Sequence, residues 1–273
     1  MGDMGDRVMF SILGSSSAGN CAMLASAGCR VLIDAGLTAR RLEEMLKGLG
    51  TGLGEIDAIF LTHEHGDHVS GLGGLARFPH IKVFANRETA RATQGKLRFR
   101  PDWQFFETGT TFTFRDLEVT SFSLPHDAAD PVGYLFAAGE GTEASPKRRL
   151  AWCTDLGHVT ELVRERIRGA DVLVLESNYD ADLLDKAERP FALKQRIRSR
   201  HGHLSNAAAH ELLHTTEGAS WRRVFLAHLS RECNDVGLVR EIYAGLAAAG
   251  RRFCVEVVDP RDGAMAALRL GEV

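Results

Sequence analysis

Seven consecutive residues, Thr62-His63-Glu64-His65-Gly66-Asp67-His68, constrain this chain more than any other stretch. They set three imidazoles and the Asp67 carboxylate within six positions, directly after the apolar segment Ile56-Asp57-Ala58-Ile59-Phe60-Leu61. That segment, with its β-branched and aromatic residues, predicts a buried strand. Gly66 is expected to let the chain turn tightly as it leaves the sheet. Ligand-type side chains then sit on a loop held by a rigid strand end, where sites tend to be built. Histidines two apart can reach one ion, while Asp67 and His68, further round the turn, can reach a second. A solvated polar loop is the plain alternative, and so dense a set of histidines argues against it. The run predicts a metal site.

At 273 residues and 44% apolar content, the chain can bury a large core as one domain built of two fused halves. Its net charge of −3 gives no bulk affinity for nucleic acid, so such a partner must be met by a local basic patch. The start, Met1-Gly2-Asp3-Met4-Gly5-Asp6, lacks the basic residues and apolar run of a signal peptide. Asp6 also breaks the myristoylation pattern. No apolar run is long enough to span a bilayer, so no membrane association is expected. Cys21, Cys29, Cys153, Cys233 and Cys254 are odd in number and form no C-x-x-C pair, which predicts buried or incidental thiols in a cytoplasmic protein.

Strand-like runs open the chain at Val8 to Ile12, Cys21 to Leu24 and Arg30 to Asp34, with small turn residues between them that predict hairpins. Thr38 then caps a helical pattern with apolar positions Leu42, Met45, Leu46 and Leu49. Beyond the metal-bearing strand, a short Gly-rich helix is expected near Leu72 to Phe78 and a strand at Ile81 to Phe84. The region from Phe105 to Leu124 alternates as half-buried antiparallel strands do. Further strands are expected at Tyr134 to Ala137, Leu150 to Cys153, Val172 to Leu175, Val224 to Leu226 and Phe253 to Val257. Helices are expected at Glu161 to Ile167, Ala207 to Leu213 and Val236 to Ala248. The Gly139 to Lys147 loop is the expected seam, giving halves of about 1–138 and 148–273. Mixed strands and helices in two comparable halves predict an α/β fold of two sheets packed face to face with helices outside, a four-layer αββα sandwich. The hairpin-rich opening argues against a doubly wound parallel sheet.

Two ions need more ligands than one run supplies, and three further residues sit where Thr62-His63 sits, after an apolar strand and a small residue. They are His126 after Val119 to Leu124, Asp155 after Leu150 to Thr154, and His228 after Val224 to Ala227. Each alone is more often a cap or a hydrogen-bonded residue; beside the H-x-H-x-D-H run they become ligand candidates.

With Asp34 as the acidic residue ahead of the first helix, this pattern resembles the metallo-β-lactamase fold superfamily over essentially the whole chain. The resemblance implies that His63, His65 and His126 bind one ion and Asp67, His68 and His228 the other. It also implies that Asp155 bridges them and that Asp34 supports the run through hydrogen bonds. Within the superfamily the chain is most similar to the YycJ (WalJ, VicX) group. The cues are Gly14-Ser15-Ser16-Ser17-Ala18-Gly19-Asn20, Pro125-His126-Asp127-Ala128 with Asp130-Pro131-Val132-Gly133-Tyr134, Glu176-Ser177-Asn178-Tyr179-Asp180, Gly202-His203-Leu204-Ser205-Asn206 and His228-Leu229-Ser230. What this implies is a metal-dependent hydrolase, a phosphodiesterase acting on nucleic acid, with 5′→3′ DNA exonuclease activity.

Two divalent cations sharing a bridging water lower its pKa from about 16 toward 7, so a hydroxide nucleophile exists at neutral pH. The same pair clamps phosphate oxygens as charge develops. An all-nitrogen-and-oxygen ligand set suits Zn²⁺ and tolerates Mn²⁺ or Fe²⁺. Asp67 can bind metal and also orient the nucleophile.

The leaving alkoxide needs a proton donor outside the metal shell, and His203 is the candidate. It stands just ahead of a helix that Ser205 or Asn206 can cap, where exposed amides form an anion site. The segment looks similar to the Ser-Gly-His-Ala element of β-CASP nucleases; packing for His203 and capping for Ser205 are the plain alternatives. Arg189, Lys194, Arg196, Arg198 and Arg200 are candidates for a nucleic-acid backbone, against the commoner solvated helix face. The serine loop with Asn20 is a candidate phosphate contact, and Asn178 with Tyr179 candidate pocket residues.

The rival functions share the site. A thioester-, lactone- or β-lactam-type hydrolase on a small substrate would use the same metals, and an apolar pocket without a basic rim would favour it. A redox di-iron protein would carry Glu in place of His65. A metal-free nucleic-acid-binding module would have lost ligands that are present here. Two departures limit the nuclease reading. Only 73 positions separate Asp155 from His228, too few for the inserted β-CASP domain, and no Gly/Pro-rich arm like that of ribonuclease Z is visible.

Overall fold

The computed structural model describes residues 8–139, 141–142, 147–248, 252–261, 264–265 and 267–272. The opening run becomes a meander of β1 (Met9–Gly14), β2 (Cys21–Ala25) and β3 (Arg30–Ile33). Thr38 accepts a hydrogen bond from the Arg41 amide and starts α1 (Ala39–Gly48), which buries Ala39, Leu42, Met45 and Leu46. Then come β4 (Ala58–Phe60), the single turn α2 (Gly66–Val69), a 3-10 helix at Leu72–Arg77, β5 (Lys82–Ala85), α3 (Arg87–Gln94) and β6 (Asp102–Phe105). The remainder holds β7 (Thr111–Phe114), β8 (Leu117–Ser123), β9 (Val132–Ala138), β10 (Arg148–Cys153), α4 (Glu161–Arg168) and β11 (Val172–Glu176). After these follow α5 (Ala181–Lys186), α6 (Phe191–Arg198), α7 (Asn206–Thr215), β12 (Arg223–Ala227), α8 (Val236–Ala248), β13 (Cys254–Val257) and β14 (Leu268–Arg269).

The strands form two seven-stranded sheets in the orders β14-β1-β2-β3-β4-β5-β6 and β13-β12-β11-β10-β9-β8-β7. Their inner faces share one apolar layer containing Phe10, Phe60, Tyr134, Trp152 and Phe225. Phe60 stacks on Phe84 with ring centroids 4.6 Å apart, a geometry that adds to the area these rings bury. The outer faces pack on helices: α1 and the 3-10 helix cover the first sheet, and α4, α7 and α8 the second. This is the expected four-layer αββα sandwich.

Three expectations need correction. The chain changes sheets between β6 and β7, so the boundary between halves lies before Thr111 rather than at Gly139 to Lys147. The latter stretch, whose residues 140 and 143–146 lie outside the described residues, joins the antiparallel neighbours β9 and β10. β14 then returns to pair with β1, tying the end of the chain into the first sheet. Phe105 does not start the antiparallel region; it closes β6, which pairs in parallel with β5. Gly66 starts α2 with open space around its Cβ position and without a left-handed backbone, so the turn does not require glycine there. The Met1 to Asp6 start lies outside the described residues. No described helix is long and apolar enough to cross a membrane.

Candidate metal centre

In both sheets the parallel strands run the same way, and their carboxyl ends meet at one edge, where open α/β sheets place their ligands. β3 delivers Asp34, β4 the His63 run, β8 His126, β10 Asp155, β11 Glu176 and β12 His228. Asp34, Asp155 and His228 have φ of 60°, 63° and 56°, three of the four non-glycine residues with positive φ among those described. Left-handed backbone is costly for most side chains and collects at functional sites. Here it turns each side chain off its strand and into the cluster. The surroundings hold that conformation: the His228 amide donates to Ser15 Oγ at 2.8 Å, and Asn178 Nδ2 donates to the His228 carbonyl at 2.7 Å.

The seven expected ligands come together. The imidazole nitrogens of His126 (Nε2) and His65 (Nδ1) face each other at 3.2 Å, and donor atoms of His63, His65 and His126 all lie within 4.8 Å of one another. A second set of the same tightness is Asp67, His68 and His228, and a third, His63, His68 and Asp155, joins the two. Asp155 lies between them, with Oδ2 at 3.3 Å from His68 Nε2 and Oδ1 at 3.9 Å from His126 Nε2.

Most of these histidines have one ring nitrogen fixed by the protein, so that the other points inward. His126 Nδ1 donates to the Gly202 carbonyl at 2.9 Å and His228 Nδ1 to Glu176 Oε1 at 2.7 Å. His68 Nδ1 donates to Asp34 Oδ2 at 2.8 Å. His63 Nδ1 meets Thr62 Oγ1 at 3.0 Å, and that hydroxyl donates to Asp34 Oδ2 at 2.9 Å. Buried and without a hydrogen-bond partner are His63 Nε2, His228 Nε2 and Asp155 Oδ2. Leaving such atoms unpaired is expensive, and a cation among them removes the penalty. Charge follows the same logic. Burial pushes the imidazoles of His63 and His65 below their ordinary pKa, with other histidines adding to the effect, so both keep a lone pair. Burial works against the charge of Asp155, but His228 and His68 outweigh it and hold the carboxyl well below the usual range. Without a cation, His68 and His228 stay protonated, burial being outweighed by Asp155 and Asp34 at His68 and by Asp155, Asp67 and Glu176 at His228; a divalent cation binding there would displace those protons. The cluster is a divalent-metal site.

The comparisons with known proteins agree with this geometry. The beta-lactamase superfamily domain matches residues 29–229. The exodeoxyribonuclease YycJ of Bacillus anthracis is 36% identical over 85% of this chain and 86% of its own length. The exodeoxyribonuclease WalJ of Streptococcus pneumoniae is 34% identical over 82% of each. The chain belongs to the metallo-β-lactamase superfamily, in its YycJ/WalJ group. The fold is also that of the superfamily protein YhfI from Bacillus subtilis, at a TM-score of 0.68 and 17% identity over 95% of this chain and 99% of that one.

Around this superfamily centre lies a cleft of about 330 Å³, with His203, Asn178 and Ser230 on one side and Lys96, Arg189 and Arg196 on its rim. His203 Nδ1 donates to Glu176 Oε1 at 2.8 Å. Burial opposes protonation of His203, yet the Glu176 carboxylate outweighs it and raises the pKa of the ring. Glu176 is wholly buried, accepts also from the Leu156 and Leu204 amides, and is held down to about 2, burial being outweighed by His203 and His228.

Other expected contacts are placed differently. Ser205 does not line the cleft; its hydroxyl caps α7 by accepting from the Ala208 amide at 3.2 Å. Asn206 is buried, with its side chain engaged by Ser177 and Asn234 and its amide donating to the Tyr179 carbonyl. At the α7 start the Asn206, Ala208 and Ala209 amides are thus bonded within the protein. Asn20 is fully buried and donates to Asp67 Oδ2 at 3.1 Å, so it steadies a ligand instead of meeting a phosphate. Asn178 does line the cleft while bracing His228. The arginines near α6 are largely neutralised: Arg189 pairs with Glu232, Arg196 with Asp127 and Arg198 with Asp185.

Sequence reasoning assigned no role to Glu176 or Lys96. For Glu176 a signal existed, an acid ending the otherwise apolar strand Val172-Leu173-Val174-Leu175. For Lys96 there was none.

Proposed function

We propose that this metal-dependent hydrolase is a phosphodiesterase acting on nucleic acid, an exodeoxyribonuclease like the relatives named above, and that it works in the 5′→3′ direction. The observation that carries the reading is the His203–Glu176 pair facing the metal cluster across a cleft with the Lys96 cation at its rim. A thioester or lactone substrate has no need of the Lys96 cation, which no carboxylate among the described residues neutralises, whereas a phosphate backbone does.

His63, His65 and His126 would hold one ion and Asp67, His68 and His228 a second, with Asp155 shared; the ligand set suits Zn²⁺ and also Mn²⁺ or Fe²⁺. When bound, two such cations supply Lewis acidity that acidifies water and offsets charge on phosphate oxygens. Asp67 orients the attacking water, with Asn20 fixing its carboxylate. His203, kept protonated by Glu176, gives its Nε2 proton to the leaving alkoxide as the P–O bond breaks. Lys96 draws the diester in. Five free cysteines, four of them buried, fit a reducing compartment such as the cytoplasm.

The test is incubation of metal-reconstituted protein with end-labelled single- and double-stranded DNA and RNA carrying 5′-phosphate or 5′-hydroxyl ends. Stepwise loss of nucleotides from the 5′ end of DNA is the expected result. Turnover of a thioester without cleavage of any nucleic acid would transfer the site to the rival reading.

A further inference from the structure

Lys96 stands at the cleft rim, and its Nζ donates to the Glu64 carbonyl at 2.7 Å, inside the metal-binding run. Two residues earlier, Gln94 belongs to a second groove, lined also by Arg87, Arg91, Arg100, Trp103 and Phe105 along β6, the edge strand of the first sheet. The floor of this groove is tied together: Trp103 Nε1 donates to Gln94 Oε1 at 3.0 Å, and Gln94 Nε2 donates to the Phe99 carbonyl at 2.9 Å. Phe105 is 47% exposed, and the Arg87 guanidinium lies over its ring at 5.0 Å.

The charge of this face is unlike that of the chain. Between Arg87 and Trp103 stand five cations and two carboxylates, in a protein of net charge −3. Both carboxylates are engaged at the surface, Glu88 by Arg91 and Asp102 by Lys82. No ion pair among the described residues neutralises Lys96 or Arg100, in contrast to the paired arginines near α6. Unmatched cations interleaved with an exposed aromatic ring fit a flexible polyanion that carries flat apolar faces.

We propose that this groove is a track for a single nucleic-acid strand, continuous through Lys96 with the metal centre. Arg100 and Lys96 take phosphates, joined by Arg91, whose exposed 3.6 Å pair with Glu88 is weak enough to be exchanged for a phosphate, and the exposed part of Phe105 stacks a base. The inference rests on the phosphodiesterase reading of the site. A protein strand pairing with the β6 edge would use backbone hydrogen bonds and would not need the arginines.

The experiment compares the metal-loaded wild-type protein with R91E/R100E, F105A and, as a matched change of net charge on α1, R40E/R41E. Fluorescence anisotropy follows binding of phosphorothioate oligothymidylates of about 3 and about 20 nucleotides across a salt series. Melting temperature and metal content check that each variant is folded and loaded. The wild type is expected to bind the longer strand at least roughly ten-fold more tightly than the shorter. R91E/R100E should weaken binding of the longer strand by roughly ten-fold or more and flatten the log–log salt slope by about 1.4, two phosphate contacts at about 0.7 each. F105A should weaken binding by roughly five-fold or more without changing that slope. The α1 variant should keep both the affinity and the slope.

Equal binding of short and long strands by the wild type would overturn the track, as would equal losses in R91E/R100E and R40E/R41E. The underlying reading fails separately. If the wild type cleaves an unmodified trinucleotide but shows no length dependence, the phosphodiesterase stands and the track falls. If it cleaves nothing yet binds the longer strand through Arg91 and Arg100, the track stands and the phosphodiesterase falls.

Discussion

One oxygen of Glu176 accepts hydrogen bonds from two histidines, His203 Nδ1 at 2.8 Å and His228 Nδ1 at 2.7 Å. A single buried carboxylate thereby orients both a metal-ligand candidate and the proposed proton donor. Replacing it by Gln keeps the shape and one acceptor but removes the charge. Glu176→Gln is expected to lower both metal affinity and turnover by about 10–100-fold, the usual cost of losing a partner behind a ligand. Metal titration beside steady-state rates checks this; turnover that falls with affinity intact would confine Glu176 to the His203 side.

His203 Nδ1 is engaged by Glu176 and lies 3.8 Å from Asp155 Oδ1, beyond hydrogen-bond reach. His203→Ala should therefore leave metal content unchanged while kcat on DNA falls by about 10²–10⁴-fold. Substrates with a nitrophenolate leaving group need little protonation and should lose far less. Equal losses on both substrates would remove His203 from the proton-transfer step.

Gly36 is the tightest point behind the site. A Cβ there would lie 1.6 Å from the Asp67 carbonyl oxygen and 2.6 Å from the Asn20 amide nitrogen, both backbone atoms. The run is pinned at this point, with the Asn20 amide donating to the Asp67 carbonyl at 2.7 Å and the Ala35 amide to the His68 carbonyl at 2.8 Å. Gly36→Ala is expected to cost about 1–3 kcal/mol by overpacking and to displace Asp67 and His68. Calorimetry with a zinc-release assay would show a lowered melting temperature and weaker metal retention together. Wild-type values in both would contradict the packing described.

Metal removal should change the pH dependence of stability. In metal-free protein, burial with nearby His68 and His126 holds the pKa of His63 well below 6.5. A group depressed in this way contributes stability above about pH 6.5 that is lost as the pH falls. His228 has the opposite sign: burial disfavours its charge, but Asp155, Asp67 and Glu176 prevail and raise it to about 10. Its contribution is full below pH 6.5 and disappears as the pH rises through about 10. The metal-free protein should melt highest near pH 6.5. Bound cations need neutral imidazoles, so the loaded protein should have its maximum at higher pH. Melting curves with and without chelator across this range check the shift; coincident maxima would speak against ligation by these histidines.

Much of the site is legible along the chain because it is built by repetition of one local device. His63, His126, Asp155 and His228 each follow an apolar strand, and a sheet with parallel strands delivers such residues to a common edge. The αββα layering is legible for a similar reason, since the alternation of apolar residues reports which faces are buried. Where local pattern and packing disagree, the reading fails. The Gly/Lys-containing stretch before β10 looks like a boundary, yet the chain crosses between sheets earlier, through the short turn at Thr108-Gly109, which marks a turn but not a change of sheet. Ser205 and Asn206 look like phosphate contacts because helix starts usually expose amides, and here those of Asn206, Ala208 and Ala209 are bonded within the protein.

The amino-acid sequence by itself determined the ligand types, their attachment to strand ends and the nitrogen–oxygen chemistry of the centre, because these are properties of single residues and their nearest neighbours. Only the tertiary structure decided which carboxylate stands behind which imidazole, which arginines are already neutralised and which cations remain for a substrate. Glu176 meets His203 and His228 across 27 and 52 positions of chain. Lys96 reaches the metal run across 32. Pairings of that length are set by how two sheets pack and where the chain crosses between them, and no local pattern encodes them.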